Sequence, residues 1–347
     1  MSYRSIPRQL LSMAIILTAT LLAGWTLTRR NEPDALVIFC GREPSVANAL
    51  VADFEQRTGI RCLVVADSLQ TEGWIANRIA RDTPPRCDVL WDTSPLDAVR
   101  LAAAGQLVPL APPALSRIPE TFRAPQQTWA AFAGVRQVWW SPKGDPETAG
   151  KQVAAIHTGE DLSGVSILID SGPQRFPAWA IEAASGGPDV LGERLRDWSR
   201  RGAKVAMKAV SGIPDSDLAV TPLLLTFTNV VAERSGTGPR GFVAPYLDSG
   251  RPVAVPNVVA IHKQTDRPEQ AQKFAAFLLS EVTEVRLVKA RLGDVPVGTV
   301  HDMDVPEEVR PLWEQPEPPL PVGTLTAAGI DALGKDRPER AEVPPRE

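Results

Sequence analysis

Cysteine, histidine and tyrosine are scarce in this chain, at three, three and two among 347 residues. No C-x-x-C or Cys/His spacing of a metal site occurs, so Cys40, Cys62 and Cys87 read as small buried hydrophobes rather than ligands or nucleophiles. Their odd number leaves at least one free thiol or an intermolecular bond in an oxidising compartment. His157, His262 and His301 are scattered and form no evident acid–base pair. G-x-S-x-G, H-E-x-x-H and the P-loop are all missing, which removes the most readable enzyme signatures. There is no internal repeat and no basic run. The first thirty residues hold four of the 37 basic residues and none of the 41 acidic ones, so the body carries a balance of −8. An acidic body of this kind excludes a nucleic-acid surface.

Long hydrophobic runs are also missing, with one exception. Arg4 and Arg8 precede LLSMAIILTATLLAGWTLT (Leu10 to Thr28), which is uncharged and long enough to cross a bilayer core of ~30 Å as a helix. It reads either as a signal peptide or as a retained anchor, and both place the body outside the cytoplasm. LLAGW has the form of a lipoprotein signal box with Trp25 where the cysteine would stand, so lipid attachment there is impossible.

What is present is an alternation of short apolar runs and amphipathic segments. ALVIFC is a buried strand, and SVANALVADFEQRTG is a helix capped by Ser45 and ended by Gly59, with Ala47, Leu50, Val51 and Phe54 on one face. RCLVVAD and CDVLWD are further strands, with TEGWIANRIARD and SPLDAVRLAAAG as the helices between and after them. Such alternation implies parallel βαβ units with right-handed crossovers. A proline-rich stretch follows, then GVRQVWWSP resumes as a strand and a second, shorter α/β alternation begins. PVAVPNVVAIH is a strongly β-branched strand. RPEQAQKFAAFLLS is an amphipathic helix with Ala271, Phe274, Ala275 and Leu278 on one stripe.

Four stretches carry a family likeness: the strand–loop–helix–strand run ending in FEQRTGI, then CDVLWDTSPLDAVRLAAAGQLVPL, WAAFAGVRQVWW and VAVPNVVAIHKQTDRPEQAQKFAAFLLSEVTEVRL. In this order, over most of Leu36 to Val297, the chain resembles the extracellular solute-binding proteins of ABC importers, in the iron(III)-type branch of the type II periplasmic binding fold. The resemblance implies an α/β fold of two doubly wound lobes joined by crossover strands, here preceded by an N-terminal hydrophobic helix. The expected division is a leader over 1–33, a first lobe over 35–132 with 255–300, and a second lobe over 133–254. A C-terminal extension over 301–333 and a disordered tail over 334–347 complete it.

In open parallel sheets ligands sit beyond the carboxyl ends of the strands, where helix N-termini present free N–H groups. That rule selects Arg42 and Glu43 in CGREPS, Asp67 and Ser68 in ADSLQTEG, and Asp92 and Thr93 in WDTSP. In the second lobe it selects Ser171 and Gly172 in DSGPQRF, and Thr226, Thr228 and Asn229 in LTFTN. Ser68 and Thr93 have helix capping as their alternative role, and Arg42 with Glu43 that of a solvated loop pair. Trp91, beside the cleft edge, either packs in the core or stacks on an organic ligand. The resemblance adds Arg136, at a position where relatives often carry a basic residue, and Tyr246. Many relatives carry an aspartate-rich loop where this chain has TFTN, and iron-binding members use adjacent tyrosines with a histidine and a carboxylate. Outside the leader this chain has Tyr246 alone, followed by Leu247, so direct binding of Fe(III) by the protein is not expected.

The sequence therefore predicts a monomeric binding protein, not an enzyme, with no cofactor of its own. It would capture a small polar ligand with anionic groups, or a metal–anion complex, between hinged lobes and pass it to an ABC permease. A membrane-tethered sensor or accessory domain of the same fold is the alternative.

Overall fold

The computed structural model describes residues 35–66, 73–82, 84–218, 223–235, 241–300, 312 and 317–335. The apolar leader, Asp67, Ser68, His301 and the chain from 336 onward lie outside the described residues. Among the described residues no helix is long and apolar enough to cross a membrane.

The first lobe is built on β1 (Leu36–Cys40), whose five residues are all buried, as expected for a strand covered on both faces. Helix α1 (Pro44–Thr58) follows, then β2 (Cys62–Ala66), α2 (Trp74–Ala80), β3 (Val89–Asp92), α3 (Leu96–Ala103) and the short β4 (Leu107–Val108). Strand β1 lies between β2 and β3 and is parallel to both. Helix α1 starts one residue before the expected cap, because Pro44, with its fixed φ, takes the first helical position and leaves Glu43 as N-cap. The Ser45 hydroxyl donates to Glu43 Oε1 at 2.6 Å instead of capping the helix. At the other end Gly59 adopts φ 70° and its N–H reaches Glu55 O, so the helix ends where the sequence places its end.

Strand β5 (Trp129–Ser141) starts five residues before the expected GVRQVWWSP segment, and all thirteen of its residues are buried. It leads into α4 (Pro146–Thr158), β6 (Ser166–Asp170), α5 (Arg175–Gly186), α6 (Val190–Arg200), β7 (Lys204–Lys208), β8 (Leu223–Phe227), α7 (Thr228–Ser235) and β9 (Phe242–Pro245). A two-stranded ribbon, β10 (Leu247–Asp248) and β11 (Arg251–Pro252), precedes the long return strand β12 (Ala254–His262). Then come α8 (Pro268–Leu278), α9 (Glu281–Lys289), β13 (Asp294–Val295) and α10 (Ala327–Lys335). The main sheet runs β2-β1-β3-β12-β5-β8-β6-β7. Strand β12 is antiparallel to β3 on one side and β5 on the other, while β5 pairs with β8 and β9 through its last residues. Strands β5, β12 and β13 therefore link the two lobes.

Two features fix this crossing. Glu284 of α9 is fully buried, and its Oε1 accepts from the amides of Ala133 at 2.6 Å, Val297 at 2.9 Å and Gly298 at 3.2 Å, with Arg117 as its ion-pair partner. A buried carboxylate is tolerable only with such partners. The register between β5 and β12 slips at Pro256/Asn257, beside Gly134. The C-terminal segment then binds both lobes: Leu320 N–H bonds Pro252 O at 3.0 Å, Val322 and Gly323 bond Thr121 O at 3.0 and 2.9 Å, and Asp331 pairs with Arg100 at 3.2 Å. Helix α10 packs on α3 and α5 and runs through Gly334 and Lys335, where a disordered tail was expected to begin.

A Cβ at Gly134 would lie 2.4 Å from Pro256 Cα and 2.7 Å from Val255 O, so there is no room for a side chain between the crossing strands. Gly134→Ala is expected to lower stability by about 1–3 kcal/mol. Urea unfolding followed by far-UV circular dichroism checks this, and an unchanged midpoint would contradict it.

Candidate functional site

The carboxyl ends of β1, β3, β6 and β8 meet around a cleft of about 440 Å³, with the crossing strands beneath it. Arg42, Glu43 and Thr93 line it from the first lobe, and Gln174, Asn229, Ala232 and Glu233 from the second. Val135, Val255 and Asn257 come from the crossing strands, and Arg291 and Leu292 from the turn before β13.

Gly41 makes the first wall possible. A Cβ there would sit 2.6 Å from Asp92 Oδ1, so a larger residue would displace the Asp92 carboxylate that shapes the β3 loop. Asp92 Oδ1 accepts from Thr93 N–H at 2.7 Å, which shapes the β3 loop. Arg42 then turns down onto the crossing strands. Its Nη1 donates to Asp294 Oδ1 at 2.9 Å and to Asn257 Oδ1 at 3.2 Å, and its Nη2 donates to Asp294 Oδ2. Arg42 is 9% exposed and Asp294 1%. Burial opposes the charge on Arg42, but the Asp294 carboxylate outweighs it and holds the guanidinium above its ordinary pKa. Asn257 completes the cluster by donating to Ala133 O at 2.7 Å and Asp294 Oδ1 at 3.3 Å.

The second wall rests on Asp170, at the end of β6. Its Oδ1 accepts from Gly172 N–H at 3.0 Å and Val210 N–H at 3.1 Å, and its Oδ2 from the Thr226 hydroxyl at 2.8 Å. Gly172 N–H is thus already used, and α5 starts three residues later at Arg175, so Ser171 and Gly172 do not open that helix. Gln174, the N-cap residue, is the one that reaches the cleft.

Of the residues singled out by sequence, Arg42, Glu43, Thr93 and Asn229 line the cleft together, and Asp92 lies directly behind Thr93. Asp67 and Ser68 lie outside the described residues. Thr226 is fully buried and committed to Asp170. Thr228 bonds Gly293 O and accepts from Arg136 N–H at 3.1 Å, stitching α7 to the crossing strands. Arg136 is not brought to the cleft. Successive residues of a strand point to opposite faces, and its neighbour Val135 is the cleft residue. Burial alone brings the Arg136 guanidinium down to about 10. Tyr246 is also elsewhere, 1% exposed, packed edge-on against Trp139 at 5.8 Å and beneath Arg194 at 5.2 Å. Burial pushes its hydroxyl well above the ordinary tyrosine range. Trp91 takes the core role, against Phe132 at 6.1 Å. The three cysteines are free thiols, and burial raises Cys40 and Cys62 to about 12.

Sequence reasoning missed Asp294, Asn257, Gln174, Glu233 and Arg291. Asn257 had a signal, as a lone amide inside the β-branched run VAVPNVVAIH. Asp294 had none, since its partner Arg42 is 252 residues away. Among the described residues no group of three or more His, Cys, Asp or Glu side chains is placed to hold a metal ion.

No family model matches the chain. No curated protein matches it in sequence. Solved structures do match. Iron-bound HitA from Pseudomonas aeruginosa is 19% identical with a TM-score of 0.64, over 88% of this chain and 99% of that one. The Trichodesmium protein IdiA (FutA), in complex with iron and citrate, is 15% identical with a TM-score of 0.68, over 87% and 98%. The periplasmic binding protein AfuA from Actinobacillus pleuropneumoniae, with fructose-6-phosphate bound, is 15% identical with a TM-score of 0.64, over 89% and 99%. At such identities the likeness establishes the fold alone: this chain has the mixed α/β fold of those binding proteins.

The Asp170–Thr226 bond sets the second wall. Thr226→Val leaves one carboxylate oxygen without its donor and is expected to cost about 1.5–3 kcal/mol. Chemical denaturation checks it, and a variant as stable as wild type would contradict the assigned role.

Proposed function

We propose that the chain is the solute-binding component of an ABC import system, working outside the cytoplasm and delivering a small polar solute to a membrane permease. The apolar leader would carry the body across the membrane and either be removed or hold it there. The observation that carries this reading is the cleft. Both lobes present the carboxyl ends of their strands to it, and crossing strands join them below, with the C-terminal segment as a further tie. Such an arrangement closes on a ligand by rotating one lobe against the other, and the bends required are confined to a few residues of β5, β12 and β13. The likeness to the three carriers supports it. Those proteins hold iron, iron with citrate, and a sugar phosphate. Solutes so unlike one another indicate that the fold determines where a ligand sits, while the side chains of each cleft determine which one.

A carrier of this kind can retain its solute through gentle purification. Native mass spectrometry of the purified chain, with a denatured aliquot as reference, is expected to show a discrete extra mass that is lost on unfolding. A bare mass, together with no binding across a panel of sugars, amino acids, phosphate, citrate and ferric citrate, would overturn the reading.

A further inference from the structure

We propose that Asp294 sets the charge selectivity of the cleft, excluding free anions and admitting a polar solute of zero or positive net charge. The inference rests on the carrier reading and refines it. Arg42 is the cation at the cleft floor, and its two terminal nitrogens already grip both oxygens of Asp294. The Asp294 side chain has no exposed surface, so the pair is part of the cleft's base and not a rim contact. A free anion reaching for Arg42 would meet the Asp294 carboxylate within a few ångströms. It would either bind beside a like charge or displace a buried carboxylate whose side-chain hydrogen bonds, among the described residues, come from Arg42 and Asn257. Both are strongly unfavourable, and like-charge juxtaposition is a common way to reject a wrong partner.

The remaining charges point the same way. Glu43 and Glu233 add two carboxylates, one from each lobe, against the single further cation Arg291. The acceptor Asn229 Oδ1 is buried at the cleft without a hydrogen-bond partner. It suits a solute that brings an N–H or O–H donor. Hydroxylated neutral solutes, zwitterions and anions balanced by a bound metal ion fall within the admitted class. Bare phosphate and citrate fall outside it.

The test uses inorganic phosphate and citrate as probes, titrated calorimetrically into wild type, Asp294→Asn and the double variant Arg42→Gln/Asp294→Asn. Wild type is expected to bind neither anion more tightly than about 1 mM. Asp294→Asn should gain about tenfold or more for at least one of them, and the double variant should lose that gain. Should Asp294→Asn fold poorly, its thermal midpoint is read with and without phosphate, and a rise absent from wild type is the expected result. Wild type binding either anion as tightly as the variant, or a variant that neither gains affinity nor is stabilised by phosphate, overturns the proposal. That failure would leave the carrier reading standing, because the latter is decided by the co-purified solute and the wider panel.

Discussion

A guanidinium from the loop after β1 and a carboxylate at the start of β13 meet under the cleft, and much of the site depends on that ion pair. Arg42 belongs to the first wall, Asp294 to the strand that lies against β5, and Asn257 to the return strand. The pair therefore ties a ligand-facing loop to the crossing strands about which the lobes would turn. In water such a pair contributes little, but here both members are almost wholly buried, and removing either leaves a charge stranded, at about 3–5 kcal/mol. Conformational freedom at the cleft floor is correspondingly small. Motion must come from parts of the crossing strands away from that pair.

Those strands are themselves restrained. Glu284 anchors β5 at Ala133, Gly134 passes Pro256 without space for a side chain, and Thr228 joins α7 to Gly293. The segment from Pro318 to α10 adds a further tie, since Arg251 donates to Pro318 O at 3.0 Å and Pro319 O at 2.7 Å while Asp331 holds Arg100. It contacts both lobes. The result is a fold with a firm base and walls that are free mainly at their rims, where Glu43 and Glu233 stand exposed.

The fold was legible because strands buried on both faces appear in sequence as largely apolar runs. LVIFC, VLWD and AVPNVVAIH are such runs, and each is a strand. The stripe Ala271, Phe274, Ala275 and Leu278 is buried as its spacing required. Placement of the cleft at strand ends was legible for the same reason, and it brought Arg42, Glu43, Thr93 and Asn229 together. What sequence did not reveal is parity and distance. One residue separates Val135, which faces the cleft, from Arg136, which does not, and the slip at Pro256/Asn257 disturbs the alternation nearby. Tyr246, which the family resemblance put forward as a ligand, is enclosed by Trp139 and Arg194. Asp294 carries no local pattern, and only the folded sheet brings it beneath Arg42.

The most direct test of this account is a double-mutant cycle on that pair, with Arg42→Met, Asp294→Leu and both together unfolded in denaturant. A coupling energy of about 2 kcal/mol or more is the predicted result. A coupling below about 0.5 kcal/mol would mean the two sites act independently, and the pair would not be what organises the cleft.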